Sequence, residues 1–382
     1  MLAVVLSGGG AKGAYELGVW KALKKLHIKY DIVTGTSIGA LNGMMMVQKE
    51  YYKCLRLWKN INYDTIFENF KKVNNSQEMY LEYLNKLVNG GIDTSKIEQL
   101  INNYYKPQKL YNSKIKYGVV SYNLTKKSVV YSTKLNTNPK KLKKYILASA
   151  TCFPFFKPTK INNQLLVDGG YYDNLPINLA IDLGATEIIA VDLRAIGIKK
   201  SISNKNIKVT YIKPNNKLDS FLMFDSNVTK RMINLGYNDA LKKFNKLDGK
   251  IYTFKKGTLD NLYSKYITNM NKICENYFKN FDRIDKKDFN KIIENCLEIF
   301  KLDVDKIYDS YNIKKLLFEK LQKTEIVDFD NYNLKELRKI LDSAKFVKYI
   351  YIKLQKCDKI NPLFKVFFKE YMAAIYLSSM GR

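Results

Sequence analysis

Asp31-Ile32-Val33-Thr34-Gly35-Thr36-Ser37-Ile38-Gly39-Ala40 is the stretch from which the rest of the chain can be organised. Asp31 to Thr34 reads as a short strand, and a helix begins at about Ile38. Gly35-Thr36-Ser37-Ile38-Gly39 lies between them and has the form G-x-S-x-G. A serine on so sharp a strand-to-helix turn projects its hydroxyl, and side chains two residues away on either side would collide, which calls for glycine there. The Ile38 N–H is then expected to point toward an oxyanion developing on a substrate carbonyl.

Upstream, Leu2 to Leu6 reads as a buried strand and Ala14 to Leu26 as a helix, with Leu17, Trp20, Leu23 and Leu26 near one face. Ser7-Gly8-Gly9-Gly10-Ala11-Lys12-Gly13 joins them. A glycine run opening a helix directs several backbone N–H groups into one space, a geometry suited to anions. The same residues fit the Gly8-x-Gly10-x-x-Gly13 spacing of a dinucleotide loop, which wants an acid at the end of the second strand. Asp31 is near in number but precedes that strand's apolar residues. The glycine run alone leaves oxyanion loop and cofactor loop open; the elbow at Ser37 favours the former.

Downstream, strands are predicted at Ile115–Ser121, Ser128–Ser132, Gln164–Val167, Glu187–Leu193 and Lys208–Ile212, with helices over Ser76–Val88, Lys140–Ser149 and Ile177–Leu183. Short strands alternating with helices predict an α/β fold, a three-layer sandwich around a mostly parallel sheet. After about Lys256 the strand signals vanish, and helical patterns cover Leu259–Phe281, Lys286–Phe300, Asn333–Ser343 and Pro362–Ser379. The expected division is a catalytic domain over 1–255 and an α-helical region over 256–382. The last of these helices is so apolar, with only Lys365, Lys369 and Glu370 charged, that it suits either a bilayer surface or a buried core.

A serine nucleophile needs a base. The chain has a single histidine, His27, and none follows Ser37, so the Ser, Asp/Glu, His order of the α/β-hydrolases cannot be built. Leu165-Leu166-Val167-Asp168-Gly169-Gly170 offers a carboxylate at the end of an apolar strand. Partial burial there would raise its pKa and make it a better base at neutral pH. As a tripeptide, Asp168-Gly169-Gly170 also fits an ordinary hairpin turn.

Taken in order, these segments resemble the patatin-like phospholipases. That family's glycine-rich loop with a basic residue matches Gly8 to Gly13 with Lys12, its G-x-S-x-G matches Gly35 to Gly39, and its D-G-G matches Asp168, Gly169 and Gly170. Ala148-Ser149-Ala150-Thr151-Cys152-Phe153-Pro154 and Asp173-Asn174-Leu175-Pro176 resemble two further blocks, so the likeness spans roughly residues 1–255. The resemblance implies hydrolysis of lipid carboxylic esters through an acyl-enzyme. Ser37 would be the nucleophile, Asp168 its base, and Gly8, Gly9, Gly10 and Ile38 the oxyanion donors, with no metal and no cofactor. Lys12 stands where arginine is common in the family; it keeps the charge but loses the bidentate fork.

Composition sets the surroundings. With 65 basic and 36 acidic residues the net charge is +29. No acid occurs between Glu98 and Asp168, where thirteen lysines fall, nor between Asp192 and Asp219, which holds Arg194 and six lysines. Such surfaces attract polyanions. With the resemblance, the expected partners are a phospholipid or other acyl-ester lipid and an anionic membrane surface; nucleic acid is not expected. The competing readings are a Rossmann-type oxidoreductase and a basic membrane-binding protein on an inactive hydrolase fold. Five cysteines without metal spacing read as reduced thiols. With no signal peptide and no long apolar run, a cytoplasmic protein is expected, peripheral at a membrane at most.

Overall fold

The computed structural model describes residues 1–67, 91–278, 281–330 and 332–381, with the isolated positions 78, 81 and 84. The helix predicted over Ser76–Val88 lies, apart from those three positions, outside the described residues. Two compact units are present, Met1–Lys243 and Phe244–Arg382.

The first unit is built on an eight-stranded sheet: β1 Leu2–Leu6, β2 Ile32–Thr36, β3 Lys116–Asn123, β4 Ser128–Thr133, β5 Thr159–Ile161, β6 Gln164–Asp168, β7 Glu187–Val191 and β8 Lys208–Ile212. The order is β5-β6-β3-β2-β1-β7-β8, with β4 also paired to β3. Neighbouring strands from β3 through β2, β1 and β7 to β8 are parallel, while β4, β5 and β6 join antiparallel. The central strands are apolar runs covered on both faces, as parallel strands flanked by helices must be: Ala3, Val4, Val5, Ile32 and Val33 have no exposed surface. This is the mostly parallel, helix-flanked sheet that the strand–helix alternation predicts. The three-residue β5 was not predicted; it is too short to show an alternation.

Helix Ala14–Lys25 packs on helix Ser226–Lys243 with almost no space between the backbones. A Cβ on Gly18 would lie 2.0 Å from the Ile233 carbonyl oxygen, and one on Gly236 would lie 2.0 Å from that of Tyr15.

The second unit begins upstream of the position expected from sequence. Strands Leu247–Asp248 and Thr253–Lys255 pair with Ile307–Tyr308, so these residues belong with the helices that follow them. A two-residue strand such as Ile307–Tyr308 leaves no periodic signal. Helices Ser310–Lys323 and Ser343–Lys356 were also not predicted. Helix Phe368–Ser379 forms the core of this unit: Tyr371 to Leu377 are buried, Tyr376 meets the rings of Tyr266 and Phe289, and Tyr371 meets Phe278. Of the two expectations for this apolar segment, the structure bears out the core. Over Tyr371 to Leu377 no side chain is left free for a bilayer, whereas Leu363, Val366 and Phe368 at the start of the segment are about half exposed.

Candidate active site

The sheet register brings Ser37 and Asp168 together. β3 gives one edge to β4 along Gly118–Asn123 and shares the other between β2 and β6. Thr36, the last residue of β2, lies opposite Val120; Asp168, the last residue of β6, lies opposite Ser121. Because β2 is parallel and β6 antiparallel to β3, their C-terminal ends approach head-on along one edge. Adjacent positions on a strand are only about 3.3 Å apart. The residue that follows β2 is therefore delivered to the residue that ends β6.

Ser37 adopts φ 57 and ψ −125, outside the regions an ordinary residue prefers. Such strain costs roughly 1–3 kcal/mol and needs support from its surroundings. The flanking glycines admit the turn: a Cβ on Gly35 would sit 2.3 Å from the Gly39 carbonyl oxygen, and one on Gly39 would sit 2.6 Å from that of Leu6. The Ser37 N–H donates to the buried Ser149 Oγ at 2.8 Å. Behind the elbow, the Thr36 hydroxyl donates to the Asp173 carbonyl at 2.8 Å and the Thr34 hydroxyl to that of Pro176 at 2.9 Å.

Asp168 is 5% exposed. The Gly170 N–H donates to its Oδ1 at 2.8 Å, and the Ser37 side chain also favours the charged carboxylate. Burial pushes the carboxyl up to about 6, against these two influences. A Cβ on Gly169 would lie 2.4 Å from the Val120 carbonyl oxygen, so only glycine lets the chain turn away from β3 there.

The glycine-rich loop lies against this pair: a Cβ on Gly8 would come within 3.0 Å of the Ser37 Cβ. Its donors differ from the sequence expectation. The Gly8 N–H donates to the Asn174 carbonyl at 3.1 Å, so it is held within the fold and is not available to an oxyanion. The N–H groups of Gly9, Gly10 and Ile38 have no acceptor among the described residues. Gly13 closes the loop from behind, its carbonyl accepting the Asn42 amide at 3.0 Å. That amide also donates to Glu16 Oε2 at 2.9 Å, while Asn42 Oδ1 accepts Trp58 Nε1 at 3.0 Å. Burial pushes the Glu16 carboxyl well above the usual carboxylate range, against the Asn42 hydrogen bond. Lys12 is half-buried with no carboxylate paired to it among the described residues; burial, and then the charge of Lys217, push its ammonium below the usual lysine range.

Ser37, Asp168, Gly8, Gly9, Gly10, Lys12 and Ile38 all face one cavity of about 770 Å³. Its far walls are apolar, with Leu41, Met44, Trp58, Phe67, Phe156 and Phe224 among them. Enclosed apolar space with a few convergent polar groups is the form of a small-molecule site.

Two sequence candidates lie elsewhere. His27 is exposed and precedes β2, at the opposite end of that strand from Ser37. Asp31 also lies at that end and accepts the Leu2 N–H at 3.0 Å. A dinucleotide loop wants its acid at the C-terminal end of the second strand, and this one is at the other end. Among the described residues no group of His, Cys, Asp and Glu is arranged to hold a metal ion, and no helix is long and apolar enough to cross a membrane. Sequence reasoning gave no role to Ser149, Asn174 or Asn42. The first two lie in motif blocks quoted above; Asn42 has no local signal, being one polar residue in an apolar helix.

The first unit is similar in sequence to known proteins. A family profile described as patatin-like phospholipase matches residues 4–181. Patatin-like phospholipase domain-containing protein 7 of Rattus norvegicus is 28% identical over 196 residues, and lysophospholipase NTE1 of Candida albicans is 30% identical over 193. Each match covers 50% of this chain and 13% of the relative, so this chain corresponds to a small part of those proteins. Among solved structures, VipD from Legionella pneumophila aligns over all of this chain and 90% of its own, with 14% identity and a TM-score of 0.43. With its glycine-rich loop, serine elbow and strand-end aspartate lining one cavity, the segment 4–181 of this chain matches the patatin-like phospholipase family.

Proposed function

We propose that the chain is a serine acyl hydrolase that cleaves carboxylic esters of phospholipids or related lipids through a Ser37–Asp168 dyad. The observation that carries this reading is the convergence of a strained serine, Ser37, and a buried carboxylate, Asp168, on one apolar cavity whose wall also presents the open N–H groups of Gly9, Gly10 and Ile38.

Ser37 Oγ attacks the ester carbonyl while Asp168 takes its proton. With its carboxyl near 6, Asp168 is mostly ionised at neutral pH yet more basic than an exposed carboxylate. The tetrahedral oxyanion accepts hydrogen bonds from Gly9, Gly10 and Ile38; one donor of this kind contributes about 2.7–4 kcal/mol. Collapse expels the alcohol, which takes the proton back from Asp168, and leaves the acyl group on Ser37. Asp168 then removes a proton from water, which attacks the acyl-enzyme and frees the fatty acid. The acyl chain occupies the apolar walls, and Lys12 at the loop is within the same cavity to meet an anionic headgroup.

The same reading places the protein at an anionic membrane surface, as a peripheral and cytoplasmic enzyme. The exposed lysines Lys140, Lys141 and Lys144 of helix Pro139–Ser149 and the acid-free stretches support it. A lysine near an anionic bilayer contributes about 1 kcal/mol. Labelling with a fluorophosphonate and mapping of the tagged peptide tests the whole proposal. A tag on Ser37, lost in Ser37→Ala, is the expected result; labelling or ester turnover that persists in the purified variant overturns it.

A further inference from the structure

Ile196 is 97% exposed, yet it lines the mouth of the cavity that holds Ser37. It belongs to the segment after β7, in the acid-free stretch between Asp192 and Asp219. This segment is pinned from within. The Ile198 N–H donates to the Gly170 carbonyl at 3.0 Å, the Asn174 N–H donates to the Ile198 carbonyl at 2.6 Å, and the Asn174 amide donates to the Ile196 carbonyl at 3.4 Å. Between the two isoleucines, Gly197 has φ 147, and a Cβ there would lie 2.7 Å from Asn174 side-chain atoms. The backbone is thus bonded at Ile196 and at Ile198 to the loops that follow Asp168, and the Ile196 side chain is left exposed.

Other side chains at the same mouth share this character. Ile198 is 51% exposed, and Phe153 and Tyr171 are each 40% exposed. The Tyr171 hydroxyl donates to the Phe153 carbonyl, which fixes those two loops to each other. Cations flank the isoleucines. Arg194 is exposed at the mouth, Lys199 pairs with Asp192 at 2.7 Å, and Lys200 sits 3.7 Å above the Tyr172 ring. Exposed apolar side chains set among cations suit the boundary between headgroups and acyl chains.

We propose that the Arg194–Lys200 loop is a membrane-docking element, whose Ile196 and Ile198 enter the acyl boundary of an anionic bilayer while Arg194 and Lys200 meet headgroup phosphates. The choice of a bilayer over a protein partner rests on the lipid-hydrolase reading above, on the continuity of this patch with the apolar cavity, and on the absence of acids along the loop. Docking there would set the cavity mouth on the lipid surface, so that an ester reaches Ser37 without crossing water.

The test uses the full chain with Ser37→Ala, so that binding is read without turnover, and co-sedimentation with phosphatidylcholine vesicles containing a minority of phosphatidylglycerol. Ile196→Ser is expected to weaken binding about tenfold, the scale of one large aliphatic side chain removed from an apolar phase. Ile196→Trp should keep binding, and its emission should shift to the blue on vesicles. Trp20 and Trp58 are 4% and 2% exposed, and because Trp58 lines the cavity the shift is taken relative to the same chain with Ile196 on the same vesicles. Equal binding by wild type and Ile196→Ser, or no shift from Ile196→Trp, overturns the proposal and leaves a protein as the partner of this loop. With Ser37 intact, Ile196→Ser should reduce hydrolysis of vesicle lipid far more than that of a short soluble ester; an equal drop would make Ile196 part of the site and also overturn it. The hydrolase reading fails separately, if wild type turns over no ester, and Ile196-dependent vesicle binding would stand even then.

Discussion

The two units of the chain bury different kinds of side chain. Among the described residues of Met1–Lys243, the interior holds Ser7, Glu16, Thr36, Asn42, Ser149, Asp168, Asp173 and Asn174 alongside its apolar strands. Among the described residues of Phe244–Arg382 the buried polar side chains are Thr253, Thr258 and Ser379, and the core is otherwise aromatic, aliphatic, Met and Cys. Burying a polar group is unfavourable unless it finds a partner. The first unit accepts that cost around one strained serine, and most of its buried polar groups there are bonded to the elbow, the glycine loop or each other. The difference marks where the fold gives up stability for chemistry, and mutations can probe it in each unit.

The largest expected effect is at the elbow. Ser37→Ala should lower ester turnover by about 10⁴-fold or more while thermal unfolding stays where it was, since a small side chain leaves and the backbone is unchanged. Unchanged kcat/KM in the purified variant would remove the first unit's polar cluster from catalysis.

Asp168→Asn comes next and should separate function from stability. Turnover should fall by several orders of magnitude, because the amide cannot accept the proton. The stability effect follows from the raised carboxyl, near 6 in the fold against an ordinary 3.8. The folded protein holds this proton more tightly than the unfolded chain does. Folding therefore carries no penalty from Asp168 below about pH 4, loses stability between about pH 4 and 6, and carries the full penalty above. At about 1.36 kcal/mol per pH unit that penalty is roughly 3 kcal/mol. Asp168→Asn should raise Tm at pH 8 and change it little at pH 4. A lower Tm at pH 8 would show that the carboxylate's hydrogen bonds outweigh its burial.

In wild type the same ionisation should govern rate. kcat/KM on a soluble ester should be level above about pH 7 and fall toward tenfold per unit below about 6, as Asp168 gains its proton. A flat profile down to pH 4.5 would break the assignment of Asp168 as base.

Ser149→Ala should cost about 1–3 kcal/mol by leaving the Ser37 N–H without its acceptor, and should lower turnover by roughly tenfold through a loosened elbow. The smallest effect belongs to the second unit. The Tyr376 hydroxyl is buried with no hydrogen-bond partner among the described residues, so Tyr376→Phe should raise stability by up to about 1 kcal/mol and leave turnover unchanged. Measured together by chemical denaturation, the two variants contrast a polar group that works with one that does not.

The parts of the fold legible in the sequence are those encoded by near neighbours. Leu2–Leu6 and Lys208–Ile212 are strands over the predicted residues, and the turn at Gly35 to Gly39 has the positive φ at Ser37 that the glycine spacing anticipates. Strand Thr159–Ile161 and the short three-stranded sheet escaped notice because three or two residues hold no period. At the site, Gly9, Gly10 and Ile38 keep open donors, whereas Gly8 does not; its partner is Asn174, a residue no local pattern could connect to it.

By itself the sequence determined the kind of chemistry available. It carries a serine on a glycine-flanked turn, a glycine loop ahead of it, a carboxylate at a strand end, and one histidine that comes too early in the chain to follow the serine. Only the tertiary structure decided that Ser37 and Asp168 meet, through adjacent positions on β3, and that burial lifts the carboxyl toward neutral pH. It also decided that Tyr371 to Leu377 of the apolar C-terminal segment are core while Ile196 stands in water. The reason is physical. Turn geometry and amphipathic period depend on residues a few positions apart, whereas strand register, desolvation and exposure depend on what the rest of the chain brings alongside.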